Sequence, residues 1–335
     1  LTIKVLHTPG HTLESSTYLL IDENKKPHCI FTGDTLFIGD VGRPDLAIKS
    51  NLTQNDLAGM LYDSLRKKII PLPDDVIVYP AHGAGSACGK NMSKETYDTL
   101  GHQKEVNYSL RNISREQFVK ELTEGILPPP QYFAKNAALN KNGYDSFETV
   151  MNHGNHALSV EEFERIKNQP GTIVLDVRKP NEFATSHVEG SLFIGLDGQF
   201  APWVGAMIPN IKQEILLVCD EGREEEVITR LARVGYDFTI GFLKGGFAAW
   251  KQAGKETDQI QSVDADLLAA IQEKEPVNIL DVRKKSEYQS EHIANVENLP
   301  LDFINERMTE FPNDKSLILH CAGGYRSMIA ASILK

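Results

Sequence analysis

The 335-residue chain carries 46 acidic against 35 basic residues, a formal net charge of −11, which argues against a nucleic-acid or acidic-membrane partner. No apolar run approaches the roughly 20 residues needed to span a bilayer, so no membrane partner is expected. Its length allows about two or three domains, and the four cysteines, Cys29, Cys88, Cys219 and Cys321, are too scattered for a disulfide framework, which points to a reducing cytoplasm.

The chain opens at Leu1, inside a strand-like run and without a methionine, so a preceding segment is expected. His7-Thr8-Pro9-Gly10-His11-Thr12 follows that run. A second run leads into Phe31-Thr32-Gly33-Asp34-Thr35-Leu36, and a third, over 76–80, into Ala81-His82-Gly83. His11, Asp34 and His82, each just past a short apolar strand, would converge at one sheet edge and could ligate a transition metal. Cys29 lies within a strand-like run and reads as core, whereas Cys88 sits in a glycine-rich loop beyond His82. For Cys88 two readings stand, a redox-active thiol and simple loop packing. Residues 53–70 and 93–112 read as amphipathic helices with Asn51 and Ser93 as N-caps. The stretch 128–155, rich in proline, asparagine and glycine, is the expected boundary between this metal-binding region and the remainder of the chain.

Past that boundary the chain repeats itself. Ile173-Val174-Leu175-Asp176-Val177-Arg178 recurs as Asn278-Ile279-Leu280-Asp281-Val282-Arg283. Each copy continues into an acidic–aromatic pair, Glu182-Phe183 and Glu287-Tyr288, and each has a histidine, His187 or His292, at the same distance from its aspartate. Each is preceded by a predicted helix opening on Ser-Val, at Ser159 and Ser262. Two copies about a hundred residues apart mean two homologous domains rather than a solenoid, and apolar strands alternating with helices imply a parallel sheet covered on both faces.

The copies differ in their cysteine loops. In the second, Leu317-Ile318-Leu319 leads into His320-Cys321-Ala322-Gly323-Gly324-Tyr325-Arg326-Ser327 and then a predicted helix. That places Cys321 at the mouth of a cup of backbone amides, at the positive end of a helix dipole and with Arg326 close by, features that lower a thiol pKa and hold an anion on the sulfur. In the first, Val218-Cys219-Asp220-Glu221-Gly222-Arg223-Glu224 places its arginine one residue early and a glutamate where Arg326 stands. Carboxylates there would raise the thiol pKa and repel anions, so this copy reads as a spacer without turnover.

Cys-x-x-Gly-x-Arg-Ser at Cys321 resembles the active loop of rhodaneses, in which the cysteine carries a sulfane sulfur. Both copies resemble rhodanese domains, and Leu243-Lys244-Gly245-Gly246-Phe247-Ala248-Ala249-Trp250 matches the usual end of one; the second copy stops short of it. The resemblance makes Cys321 the nucleophile, with Arg326 and the loop residues Ala322, Gly323, Gly324, Tyr325 and Ser327 binding the anion. The first third resembles the second half of a metallo-β-lactamase fold, an αββα sandwich. It is closer still to the persulfide dioxygenase branch fused to tandem rhodaneses, through Gly39-Asp40-Val41-Gly42-Arg43-Pro44-Asp45-Leu46 and His82-Gly83-Ala84-Gly85-Ser86-Ala87-Cys88-Gly89-Lys90.

That resemblance implies an α/β chain in three parts: residues 1–150 carrying a partial metallo-β-lactamase fold, 151–258 a non-catalytic rhodanese-like domain, and 259–335 an incomplete rhodanese domain with the active loop. In the dioxygenases one Fe(2+), held by two histidines and an aspartate, keeps positions open for O2 and a persulfide. His11 and Asp34 match two of those ligands; the third would come from an upstream His-x-His-x-Asp-His motif that the chain does not contain. His82 matches the second-metal position of dizinc relatives. The implied partners are a low-molecular-weight thiol persulfide, sulfite or thiosulfate, O2, and further copies of the chain. A Zn(2+) thioester hydrolase of the hydroxyacylglutathione type shares His11, Asp34 and His82 and is the alternative.

Overall fold

The computed structural model describes residues 1–45, 52–83, 88–89, 92–124, 126, 135–136, 139–140, 143–144, 146–274, 277–312 and 316–335. Leu46, Asn51, Lys90 and residues 84–87, all singled out by sequence, lie outside them. The chain divides into two compact units, Leu1–Phe133 and Ala134–Lys335. No described helix is long and apolar enough to cross a membrane.

In the first unit β1 (Thr2–His7), β2 (Ser16–Ile21), β3 (Pro27–Gly33), β4 (Ile77–Pro80) and β5 (Asp98–Thr99) form one sheet in that order. β1 and β3 both pair antiparallel with β2, and β4 pairs parallel with β3. These three strands therefore point the same way, and the loops that follow them leave from one edge. The helix Gln54–Ser64 runs on as a single π turn, Leu65–Ile69, and its stripe Leu61, Leu65 and Ile69 packs with Ile30, Val76 and Val78 in the core. This helix fills the predicted 53–70 span. Its cap is Thr53: the hydroxyl accepts the Asp56 N–H and the Asp56 carboxylate accepts the Thr53 N–H.

The helix expected over 93–112 is shorter. Asp98 and Thr99 are drawn into an extended pairing with Val78 and Ile77, so Thr99 rather than Ser93 caps the helix Leu100–Val106. A 3-10 turn, Tyr108–Leu110, replaces its expected end.

The second unit contains β6 (Ala157–Leu158), β7 (Thr172–Asp176), β8 (His187–Val188), β9 (Leu192–Phe193), β10 (Glu214–Val218), β11 (Thr239–Leu243), β12 (Thr257–Asp258), β13 (Asn278–Asp281), β14 (Glu297–Asn298) and β15 (Leu317–His320). One sheet has the order β6-β11-β10-β7-β9 and the other β14-β13-β15, with every pairing parallel, while β8 and β12 form a small antiparallel ladder. The first copy buries Leu158, Phe163, Val174, Leu216, Val218 and Trp250 in one cluster, with Phe163 edge-on to Trp250. Ser159 caps its first helix through the expected box with Glu162. In the second copy the cap is Asp264 rather than Ser262, its carboxylate accepting the Leu267 N–H at 2.8 Å.

The internal repeat extends to side-chain detail. The Arg178 guanidinium forks onto Asp176 and donates to the Ser186 carbonyl; Arg283 does the same to Asp281 and Glu291. His187 stacks on Phe183 at 3.8 Å between centroids and His292 on Tyr288 at 3.9 Å, each ring Nδ1 bonded to the carbonyl of its aromatic neighbour. The carbonyl can only accept, so each Nδ1 carries the hydrogen. These residues tie the turn after the central strand to its helix, a structural role for the Asp-Val-Arg segment.

Because Asp176 is fully buried, Asp176→Asn leaves the Arg178 guanidinium without its counter-charge and is expected to cost about 3 kcal/mol in urea unfolding. Asp281→Asn should cost less, since the Arg283 side chain is 15% exposed against 8% for Arg178.

Candidate functional site

The three loops leaving the edge of the first sheet are fastened to one another. Thr8 Oγ1 lies 2.8 Å from Thr35 Oγ1, which joins the loop after β1 to the loop after β3. The Ala81 N–H donates to the Gly33 carbonyl at 3.1 Å, which brings the end of β4 beside Asp34. His11 Nε2 consequently lies 3.1 Å from Asp34 Oδ2, and His82 Nε2 lies 3.3 Å from Asp34 Oδ1. Cys88 joins them: the ligand atoms of His11, Asp34 and Cys88 all fall within 4.8 Å of one another.

The chemistry of these donors fits a transition metal. His11 Nδ1 is 2.8 Å from the Arg43 carbonyl and must carry the hydrogen there, which turns the Nε2 lone pair toward the Asp34 carboxylate. Two lone-pair donors that close need a proton or a cation between them. Burial works against charge on Asp34, but bonding to His11, the fields of His11 and His82 and a bond from Cys88 hold its carboxyl below the usual range. Gly42 runs tight against this group: a Cβ there would stand 2.0 Å from the Asp34 carbonyl oxygen and 2.9 Å from His11 Nδ1, so only glycine fits. The sequence brings His11, Asp34 and His82 to one edge as expected, and Cys88, in the loop just past His82, lies beside them at the mouth of that site; the orienting carbonyl of Arg43 depends on loop closure and carries no spacing signal.

The second constellation lies at the end of β15. Strand, loop and the helix Tyr325–Leu334 follow in the predicted order, and Gly324 turns the corner with φ of +84°. The Cys321 sulfur accepts the N–H of Gly324 at 3.1 Å and of Ser327 at 3.4 Å, with Ser327 Oγ at 3.4 Å. Burial opposes ionisation, yet the Ser327 hydroxyl and the amides of Ser327, Gly323 and Gly324 hold the thiol below its ordinary pKa.

Arg326 stands one step back from the sulfur. Its guanidinium forks onto Glu287 at 2.6 and 2.8 Å, and that bonding pulls the Glu287 carboxyl down to about 2. Glu287 was visible as part of the repeat, but its arginine lies 39 positions away. In the first copy Glu182 bonds the Lys179 N–H, and the position of Arg326 is taken by Glu224.

Cys219 lies at the same point of the first copy with the opposite electrostatics. It is buried, and burial, followed by the charges of Glu224, Asp220 and Asp176, pushes its thiol up to about 12. Its loop arginine, Arg223, turns away to Asp197 at 2.9 Å and to Glu226.

Comparisons with known proteins match both units. A rhodanese-like domain model matches residues 159–253 and 264–335. A solved metallo-β-lactamase from Staphylococcus aureus subsp. aureus COL is 31% identical at a TM-score of 0.63, over 72% of this chain and 67% of that one. The mitochondrial persulfide dioxygenase ETHE1 of Homo sapiens is 35% identical over 124 residues, 37% of this chain and 41% of the relative. The hydroxyacylglutathione hydrolase of Dictyostelium discoideum is 33% identical over 155 residues, 46% of this chain and 52% of the relative. The chain thus spans about half the length, or less, of these two curated relatives.

The contrast between the two thiols is measurable by iodoacetamide labelling across pH. Cys321 should alkylate with an inflection below that of a free thiol while Cys219 stays unlabelled in the native protein. Ser327→Ala, which removes a donor that favours the thiolate, should move the Cys321 inflection to higher pH.

Proposed function

This chain belongs to the proteins in which a metallo-β-lactamase fold is fused to rhodanese-like domains, and on that premise we propose that it oxidises a low-molecular-weight thiol persulfide with O2 and transfers sulfane sulfur to form thiosulfate. In this reading residues 1–150 carry the metal centre, 151–258 form a domain without turnover and 259–335 carry the sulfur. The observation that supports it most is the cup around Cys321, where two backbone N–H groups and a hydroxyl converge on one sulfur.

The Cys321 thiolate attacks the terminal sulfur of a persulfide. A new S–S bond forms, the donor's S–S bond breaks, and the donor leaves as its thiolate. The same amides of Gly324 and Ser327 then hold the anionic outer sulfur of the enzyme persulfide, and Ser327 Oγ offers it a further donor. Sulfite attacks that outer sulfur, thiosulfate departs, and Cys321 returns as the thiolate, with no net oxidation in the transfer. Arg326, kept cationic and fixed by Glu287, supplies positive potential at the mouth for the incoming anions. The four cysteines, none in a disulfide, suit the reducing cytoplasm in which small-thiol persulfides persist.

In the first unit His11, Asp34 and either Cys88 or His82 would hold the metal. Fe(2+) there supplies O2 activation when bound. The protein's own contribution is orientation: Arg43 fixes the His11 tautomer, and Gly42 lets the backbone close over it.

One observation favours a second reading. Asp34 offers one carboxylate oxygen to His11 and the other to His82, an arrangement suited to a carboxylate shared by two metals, as a dizinc thioester hydrolase would need.

Two measurements separate these readings. With glutathione persulfide and sulfite as substrates, Cys321→Ser should abolish thiosulfate formation and leave O2 consumption intact; retained transfer would remove Cys321 from the mechanism. Metal analysis of the full protein should give one iron per chain, with two zincs per chain supporting thioester hydrolysis instead.

A further inference from the structure

The loop that holds the Cys321 sulfur has little packing of its own. A Cβ built on Gly323 or Gly324 would meet nothing within 4 Å. Between the two residues whose N–H groups reach the sulfur, Gly324 and Ser327, lies Tyr325, and its side chain leaves the second copy altogether. The Tyr325 hydroxyl donates to the Gly195 carbonyl of the first copy at 2.6 Å, 130 positions away in sequence, and its ring stands edge-on to Phe193 at 5.9 Å.

The receiving segment is shaped for that ring. A Cβ on Gly198 would stand 2.3 Å from Tyr325 Cε2, and one on Gly195 would stand 3.1 Å from the same atom. Matching backbone bonds, Ile194 and Leu196 to Asp176 and Val177 in one copy, Leu299 and Leu301 to Asp281 and Val282 in the other, align Gly195 with Pro300 and Gly198 with Phe303. The first copy thus has glycines where its counterpart has bulk. Asp197, between those glycines, is gripped by Arg223 from the disabled Cys219 loop at 2.9 Å. A second tie lies farther along the same helix, where Ser332 Oγ accepts the Phe193 N–H at 3.0 Å.

We propose that the first rhodanese-like copy is the scaffold of the second one's sulfur loop, with Tyr325 as the positioning residue that aims the Gly324 and Ser327 N–H groups at Cys321. The inference deepens the sulfur-transfer reading and rests on it for its catalytic consequence, but its structural half can be read independently.

Gly198→Ala tests it from the far side, since the substitution lies in the first copy and its Cβ displaces the ring. Tyr325→Phe, which keeps the packing and deletes the hydroxyl, is the milder partner. Both are made in the full chain, checked by thermal melting, and followed by the pH profile of Cys321 alkylation and by kcat and KM for sulfur transfer from glutathione persulfide to sulfite. Gly198→Ala should raise the Cys321 inflection enough to slow labelling at pH 7 by about tenfold, and lower kcat with little change in KM, with Tyr325→Phe intermediate. Tyr325→Ala combined with Gly198→Ala should do no more than Tyr325→Ala alone, because both act through one contact. Folded variants with an unmoved inflection, or additive effects in the double variant, would overturn the inference. An unmodified chain that transfers no sulfur, in which Gly198→Ala still shifts the inflection, would overturn the proposed activity and leave the anchor standing.

Discussion

At Cys321 the N–H groups of Gly324 and Ser327 converge on one sulfur, and the second unit is organised around keeping them aimed there. Peptide donors cannot be retuned by protonation, so the anion they hold is stabilised across the whole working pH range. Their weakness is geometric: hydrogen bonds fall off steeply with angle, and a glycine-rich loop is floppy by composition. The chain answers with restraints on both sides of the corner. β15 fixes the approach through its parallel pairing with β13, and the Arg326–Glu287 fork fixes the start of the following helix. Arg326 is therefore less a direct partner of sulfur than a fixed cation whose own geometry is set by a carboxylate.

The first unit solves a similar problem with side chains. Its donors sit on three loops, and strand direction alone brings those loops to one edge. What strand direction cannot do is rotate each side chain correctly. That task falls to backbone acceptors and hydroxyls: the Arg43 carbonyl for His11, and the Thr8–Thr35 contact for the loop that carries Asp34. A histidine held this way keeps its free ring nitrogen aimed in advance, and a donor fixed beforehand lowers the ordering cost of binding a cation.

How much of this could be read from the chain depends on the range of the interaction. The Asp-Val-Arg repeat was legible because Asp176 and Arg178 are two positions apart and their partner Ser186 is eight beyond, so one short motif contains the whole network. The convergence of His11, Asp34 and His82 was legible because each follows an apolar strand. Helix starts were less so: Ser93 and Ser262 are good capping residues by type, but the cap goes to whichever residue tertiary pairing leaves at the turn, here Thr99 and Asp264. Contacts across long separations left no trace in spacing. The Arg43 carbonyl on His11, Glu287 beneath Arg326 and Tyr325 on Gly195 all depend on how loops close in three dimensions.

The two cysteine loops show how little separates a thiol held below its ordinary pKa from one pushed well above it. Both follow a parallel strand and precede a helix, and both lose solvation. At Cys321 the loss is outweighed by the Ser327 hydroxyl and the amides of Ser327, Gly323 and Gly324; at Cys219 it is compounded by Glu224, Asp220 and Asp176. A single register change accounts for much of this. Moving the arginine one position earlier puts Arg223 within reach of Asp197 and a glutamate into the position that Arg326 holds in the other copy. A helix N-terminus can stabilise an anion, but a carboxylate occupying its first turn already takes that benefit, and a neighbouring thiolate then meets repulsion instead. The domain around Cys219 is nonetheless tightly packed, and its glycines at 195 and 198 are where its surface meets Tyr325 of the Cys321 loop.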